Sequence, residues 1–168
     1  MRPRTLAIWT AIVAALLVIY LAGGRSRPSG GPSNAPWITF NRDGVRRIEI
    51  QTHQPPMTRT FERRNGIWLR VTDTALVPAD TLTISNFITM VSSLESSDIA
   101  SDSPAKYSLF NLEDSVALKI VLGDTSSLEL LAGKHSPDGL FTYMRRQAEP
   151  AVWLVKGYEL WKVNRLFN

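Results

Sequence analysis

His135, Ser136 and Asp138 crowd into the run Gly133-Lys134-His135-Ser136-Pro137-Asp138-Gly139. Histidine, serine and aspartate are the residue types of a nucleophile, its base and the group that orients the base. Such a relay also needs the base held by the third group and oxyanion donors beside the nucleophile. Residues this close in a Pro-Asp-Gly turn are poorly placed for that, and the run reads as a solvated hairpin loop. Asp80 is the other carboxylate that invites a catalytic role. It stands just ahead of an apolar stripe at helical spacing, where a carboxylate accepts from the free amides of a first helical turn. Asp80 is therefore assigned as a structural cap, and no catalytic residue is assigned. The chain has no cysteine and only two histidines, His53 and His135. That excludes disulfides, thiolate metal centres and a cysteine nucleophile, and no metal or cofactor site is assigned.

The remaining chemistry is that of a surface. Arg59, Arg63, Arg64 and Arg70, with Arg46 and Arg47, make the first strands basic. Residues 38–75 hold seven basic and four acidic side chains, and residues 76–168 hold eight and eleven. Basic side chains gain energy near an anionic surface. Arg59, Arg63, Arg64 and Arg70 are thus a candidate interaction surface for lipid headgroups or an acidic partner, against the alternative of a solvated face with local ion pairs. Phe141, Tyr143 and Trp153 join them as candidate contact residues. Aromatic residues in strands more often belong to a core. The strands at 141–146 and 151–155 are apolar on both faces, however, and a face left uncovered would be an exposed patch.

These residues sit on an alternating pattern of strands. Residues 45–51 form the first, with Ile48 and Ile50 on one face. Residues 57–63 and 67–71 flank Asn65-Gly66, a strong hairpin signal. A three-residue loop would pair Arg63 with Ile67 and set Phe61 beside Leu69, keeping the apolar side chains together, so that register is expected. Asp80 then opens a helix whose Ile84, Phe87, Ile88, Val91 and Leu94 form one stripe. Residues 97–103 are a weak strand or loop, and 106–112 a short helical turn. Strands follow at 115–122, 128–132, 141–146 and 151–155, and a C-terminal helix at 157–167. Strands without intervening helices imply hairpins. The expected fold class is α+β: mainly antiparallel sheet packed with two helices, in the order βββα, ββββα, preceded by one transmembrane helix.

That helix is read from residues 6–24, which carry no charge and are about one bilayer long. A signal-peptide apolar core spans only about 7–15 residues. Leu6, Trp9, Leu16 and Tyr20 mark the run as a membrane anchor, with the two aromatics near its ends as interface residues are. Ala22-Gly23-Gly24 also offers a small-residue cleavage site. Residues 25–37 form a Pro/Gly/Ser-rich linker, too poor in apolar residues to bury a core. Residues 38–168 are the extracytoplasmic domain. The formal charge of +4 comes from Arg2, Arg4, Arg25 and Arg27, because the domain balances 15 basic against 15 acidic residues. A neutral domain lacks the electrostatic footprint of a nucleic-acid binder.

Trp68-Leu69, Pro78-Ala79-Asp80 opening a helix, Tyr107-Ser108-Leu109, Leu122-Gly123, Thr142-Tyr143 and Val152-Trp153-Leu154-Val155 occur in a recognisable order. In this the chain resembles the bacterial membrane-anchored proteins catalogued as domain of unknown function 4340. Ser108 departs from the pattern, which has glycine between the tyrosine and the leucine. The resemblance implies an envelope accessory role beside ABC-type transporters linked to gliding motility, and supplies no catalytic residues. The expected function is a noncatalytic, single-pass inner-membrane module whose domain lies in the periplasm or outside. Its expected partners are the membrane and a membrane protein complex. The competing readings are an envelope lipid or cell-wall ligand-binding domain, which predicts a large apolar cavity between sheet and helix, and a hydrolase.

Overall fold

The computed structural model of the chain describes residues 36–123 and 127–167. Nine strands form one sheet: β1 (Arg47–His53), β2 (Pro56–Arg64), β3 (Ile67–Val71), β4 (Leu76–Pro78), β5 (Glu95–Ser101), β6 (Leu118–Gly123), β7 (Ser127–His135), β8 (Thr142–Arg146) and β9 (Val152–Lys156). Their order is β4-β3-β2-β1-β6-β7-β8-β9-β5, and every neighbouring pair is antiparallel. The helices are α1 (Thr81–Ser92), α2 (Tyr107–Phe110), which follows a 3-10 turn at Pro104–Lys106, and α3 (Leu160–Asn164). The fold is α+β as expected, with three helices described instead of two. The 6–24 run, with Leu6, Trp9, Leu16 and Tyr20, lies outside the described residues. Among the described residues no helix is long and apolar enough to cross a membrane.

The α1 segment takes the chain from one edge of the sheet, β4, to the other, β5. A flat nine-stranded sheet would measure about 38 Å between its edges. Twelve helical residues rise about 18 Å. The sheet therefore curls around α1. Its inner face supplies Ile48 and Ile50 from β1, Phe61 from β2, Trp68 from β3, Ile120 and Leu122 from β6, Leu130 from β7, Met144 from β8 and Val155 from β9. Ile84, Phe87, Ile88 and Val91 of α1 fill the space between. Trp37, the last residue of the sequence-assigned linker, is buried in the same core and donates its backbone N–H to Leu94 O at 2.7 Å.

The β2–β3 hairpin corrects the expected register. Arg64 pairs with Ile67, Arg63 with Trp68 and Phe61 with Arg70. Asn65 (φ 51°) and Gly66 (φ 81°) make a two-residue turn with both central residues left-handed. That turn matches the twist of the flanking strands, which a type I turn would splay. The shift puts Trp68 in the core and leaves Ile67 57% exposed. The observed register sets the Trp68 indole on the core face with Phe61 and puts Ile67 and Leu69 on the outer face.

Other boundaries also move. The strand expected at 115–122 begins only at Leu118, since Glu113 O accepts from Val116 N and Ala117 N in a turn. The weak strand near 97–103 is the edge strand β5, bulged twice against β9. The C-terminal helix spans only Leu160–Asn164, with Leu160 and Trp161 outward and Val163 and Leu166 inward. The outer face of β8 and β9 is covered, not bare. Leu112, Ala117, Leu131 and Val152 form a second small core there, with Tyr107, Phe110 and Tyr143 against it. Gly133 permits this packing: a Cβ at that position would lie 2.1 Å from Phe110 O.

Candidate functional site

The His135–Ser136–Asp138 group is a closed turn. Ser136 Oγ donates to the Asp138 carboxylate and accepts from Phe141 N at 3.0 Å. Asp138 also accepts from Leu140 N at 3.1 Å. The Ser136 hydroxyl first, and then the Leu140 amide, hold the Asp138 carboxyl below its ordinary range. His135 Nδ1 pairs with Thr142 Oγ1 at 3.0 Å, not with Ser136 or Asp138. The three residue types are brought together, but in the order of a hairpin loop, not of a nucleophile and its base.

Asp80 caps α1 as expected. Its carboxylate accepts from Leu82 N at 2.9 Å and from Thr83 Oγ1 at 2.5 Å. The Thr83 hydroxyl, and then the Leu82 amide, lower its pKa by bonding to the charged form. Asp80 also lines a surface cleft of about 340 Å³ with Arg70, Thr83 and Arg165. A second cleft on α1, of about 260 Å³, is lined by Arg42, Asp43, Arg63, Trp68 and Ser85 among others. Among the described residues no three His, Asp or Glu side chains come close enough to hold a metal ion.

The four candidate arginines divide between two faces. Arg64 lies on the outer face and pairs with Glu62 at 2.7 Å. Glu62 also takes Arg47 at 2.9 Å, and Arg64's hydrogen bond leads the causes that depress its pKa. Arg59, Arg63 and Arg70 share the inner face, because Phe61 pairs with Arg70 and Arg63 with Trp68. Arg59 Nε is buried with no hydrogen-bond partner among the described residues. The candidate aromatics divide as well. Tyr143 packs on Phe110 with ring centroids 4.6 Å apart, on the outer face. Trp153, paired with Met144, packs against the main core on the inner face. Phe141 is half-buried beside the Ser136 turn.

Two exposed features lie outside the candidate surface assigned from the sequence. On the outer face of β3 and β4, the register aligns Ile67, Leu69 and Val71 with Leu76 and Pro78 in one apolar strip. Ile67 is 57% and Leu76 39% exposed. The period-2 alternation that marks this strip is plain in the sequence, but the expected register turned it inward. The second is Trp161, 52% exposed, with Arg165 4.9 Å and Lys162 5.4 Å from its ring centroid.

No curated protein matches this chain, and no solved structure does. One family model, described as "Domain of unknown function (DUF4340)", matches residues 68–168. The matched segment opens at Trp68, the indole that fixes the hairpin register, and includes the Asp80 cap, the second core and the exposed Trp161. It takes in more than half of the sequence, and the chain belongs to the DUF4340 family.

Proposed function

We propose that this chain is a noncatalytic interaction module tethered to a bacterial membrane, an accessory of an envelope complex such as an ABC-type transporter. The observation that carries the reading is the apolar strip Ile67, Leu69, Val71, Leu76 and Pro78, which no element described in the chain covers. Each large aliphatic side chain of the strip contributes about 1.5–3 kcal/mol when a partner buries it fully, before the costs of association. The uncharged 6–24 run and the linker after it support a tether. A tether confines the strip to the membrane and raises its effective concentration near a membrane partner.

The test is crosslinking and pull-down of the full chain from native membranes. Comparison proteins lack residues 1–24 or carry Ile67→Asp with Leu76→Asp. The proposal predicts one stoichiometric complex that needs both the leading residues and the apolar strip. Recovery of the chain alone at native abundance, or of the same complex with the strip charged, overturns it.

A further inference from the structure

Charge pairing differs between the two faces of this sheet, although Arg146 on the inner face pairs with Glu149 at 2.7 Å. On the outer face Arg47 bonds Glu49 and Glu62, Arg64 bonds Glu62, and Lys119 bonds Glu129, all at 2.7–3.2 Å. On the inner face Arg59, Arg63 and Arg70 have no ion pair among the described residues, and neither do Arg42 and Arg165 beside α1. The α1 helix itself, TLTISNFITMVS, has no charged side chain. The two clefts that it borders carry Arg42, Arg63, Arg70 and Arg165 against Asp43 and Asp80, an excess of two positive charges.

Apolar side chains project from the same layer. Leu82, on the first turn of α1, is 68% exposed. Trp161 stands outward between Arg165 and Lys162, which pairs with Glu159 at 2.9 Å, and Arg165 also lines the cleft with Arg70 and Asp80. An exposed indole bracketed by cations suits the headgroup level of a bilayer, where its apolar body and its N–H both find partners. The described chain begins in this layer too: Pro36 lines a cleft with Ser92 and Ser93 at the end of α1.

We propose that this helix-side face, with Arg70, Arg165, Lys162, Trp161 and Leu82 at its centre, docks on an anionic lipid surface. The arginines supply charge complementarity, while Leu82 and Trp161 enter the interface. The inference rests on the tethered reading for its access to lipid. It also gives that reading an orientation, because the apolar strip on the opposite face is then turned away from the bilayer.

The chain has no cysteine, so Leu82→Cys provides a single attachment point for an environment-sensitive dye. The full chain is placed in nanodiscs of phosphatidylcholine, alone or mixed with phosphatidylglycerol. Docking predicts brighter, blue-shifted emission in the anionic discs only, weakened by added salt. Each arginine neutralised, by Arg70→Gln or Arg165→Gln, should weaken the response about fivefold, the worth of one basic residue near an anionic surface. The Arg70→Lys and Arg165→Lys variants should retain it, and a dye at Thr60→Cys on the outer face should stay silent. Equal spectra in the two lipids, an unchanged response in the glutamine variants, or a response at position 60 overturns the docking. Retention of the chain through an alkaline wash separates the two ideas. A chain that stays on neutral discs without a lipid response keeps the tether and overturns the docking. A chain that washes off neutral discs but holds to anionic ones overturns the tether and supports the docking. A chain lost from both overturns both.

Discussion

Asp80 and Tyr158 show how differently single polar groups act in this fold. The Asp80 carboxylate is fully used by Leu82 N and Thr83 Oγ1, and its pKa is lowered in consequence. A lowered carboxylate stabilises the fold above its unfolded value, near pH 4, and that contribution disappears as pH falls through the folded value. Asp80→Ala should lower the thermal midpoint at neutral pH and flatten the acid limb of stability. Asp80→Asn should keep most of the midpoint, since asparagine caps as well, while still flattening that limb. Thermal melts from pH 2 to 7 check both. The Tyr158 hydroxyl is the opposite case: it is buried with no hydrogen-bond partner among the described residues, and burial pushes the phenol far above its ordinary range. Tyr158→Phe should stabilise the domain by about 1 kcal/mol, the typical cost of a buried unpaired hydroxyl. A lower denaturation midpoint for that variant would mean that the hydroxyl has a partner.

At the scale of elements, the register of β2 and β3 decides which face meets the core. Trp68→Ala should cost about 3–5 kcal/mol, whereas Ile67→Ala should stay within about 0.5 kcal/mol. Equal losses would contradict the observed pairing. Gly133→Ala should cost about 3 kcal/mol, because its Cβ would meet the Phe110 carbonyl and force α2 off the sheet. Urea melts order the three. Much of this was legible in the sequence. The Asp80 cap, the α1 stripe and the strands at β1, β8 and β9 follow from local chemistry alone. The hairpin was legible, but its register was not, since alternation gives two faces without saying which is inside. Arg145 and Arg146 carry the same lesson. They are adjacent, yet Arg145 turns outward to Asp114 and the Tyr107 ring, while Arg146 turns inward to Trp37 O. Only the strand order, which sets β5 beside β9 and α2 over the outer face, assigns such directions. That order depends on contacts distant in sequence, so the spread of Arg59, Arg64, Tyr143 and Trp153 over two faces could not be read locally.

At the scale of the whole molecule, the account joins a curled sheet with two unlike faces to a chain whose first residues read as an anchor. One face carries Arg59, Arg63 and Arg70, which have no ion pair among the described residues, beside a neutral helix, and the other carries paired charges and an apolar strip at its β3–β4 edge. A module of this kind acts by where it is held and what it touches, and its energy of contact is concentrated in a few side chains. The most direct test places a photo-crosslinking amino acid at position 67 of the full chain in native membranes, with position 86 on the exposed side of α1 as the comparison. The account predicts one discrete heavier adduct from position 67, absent from position 86 and lost when residues 1–24 are removed. No adduct from position 67, or the same adduct from both positions, would contradict it.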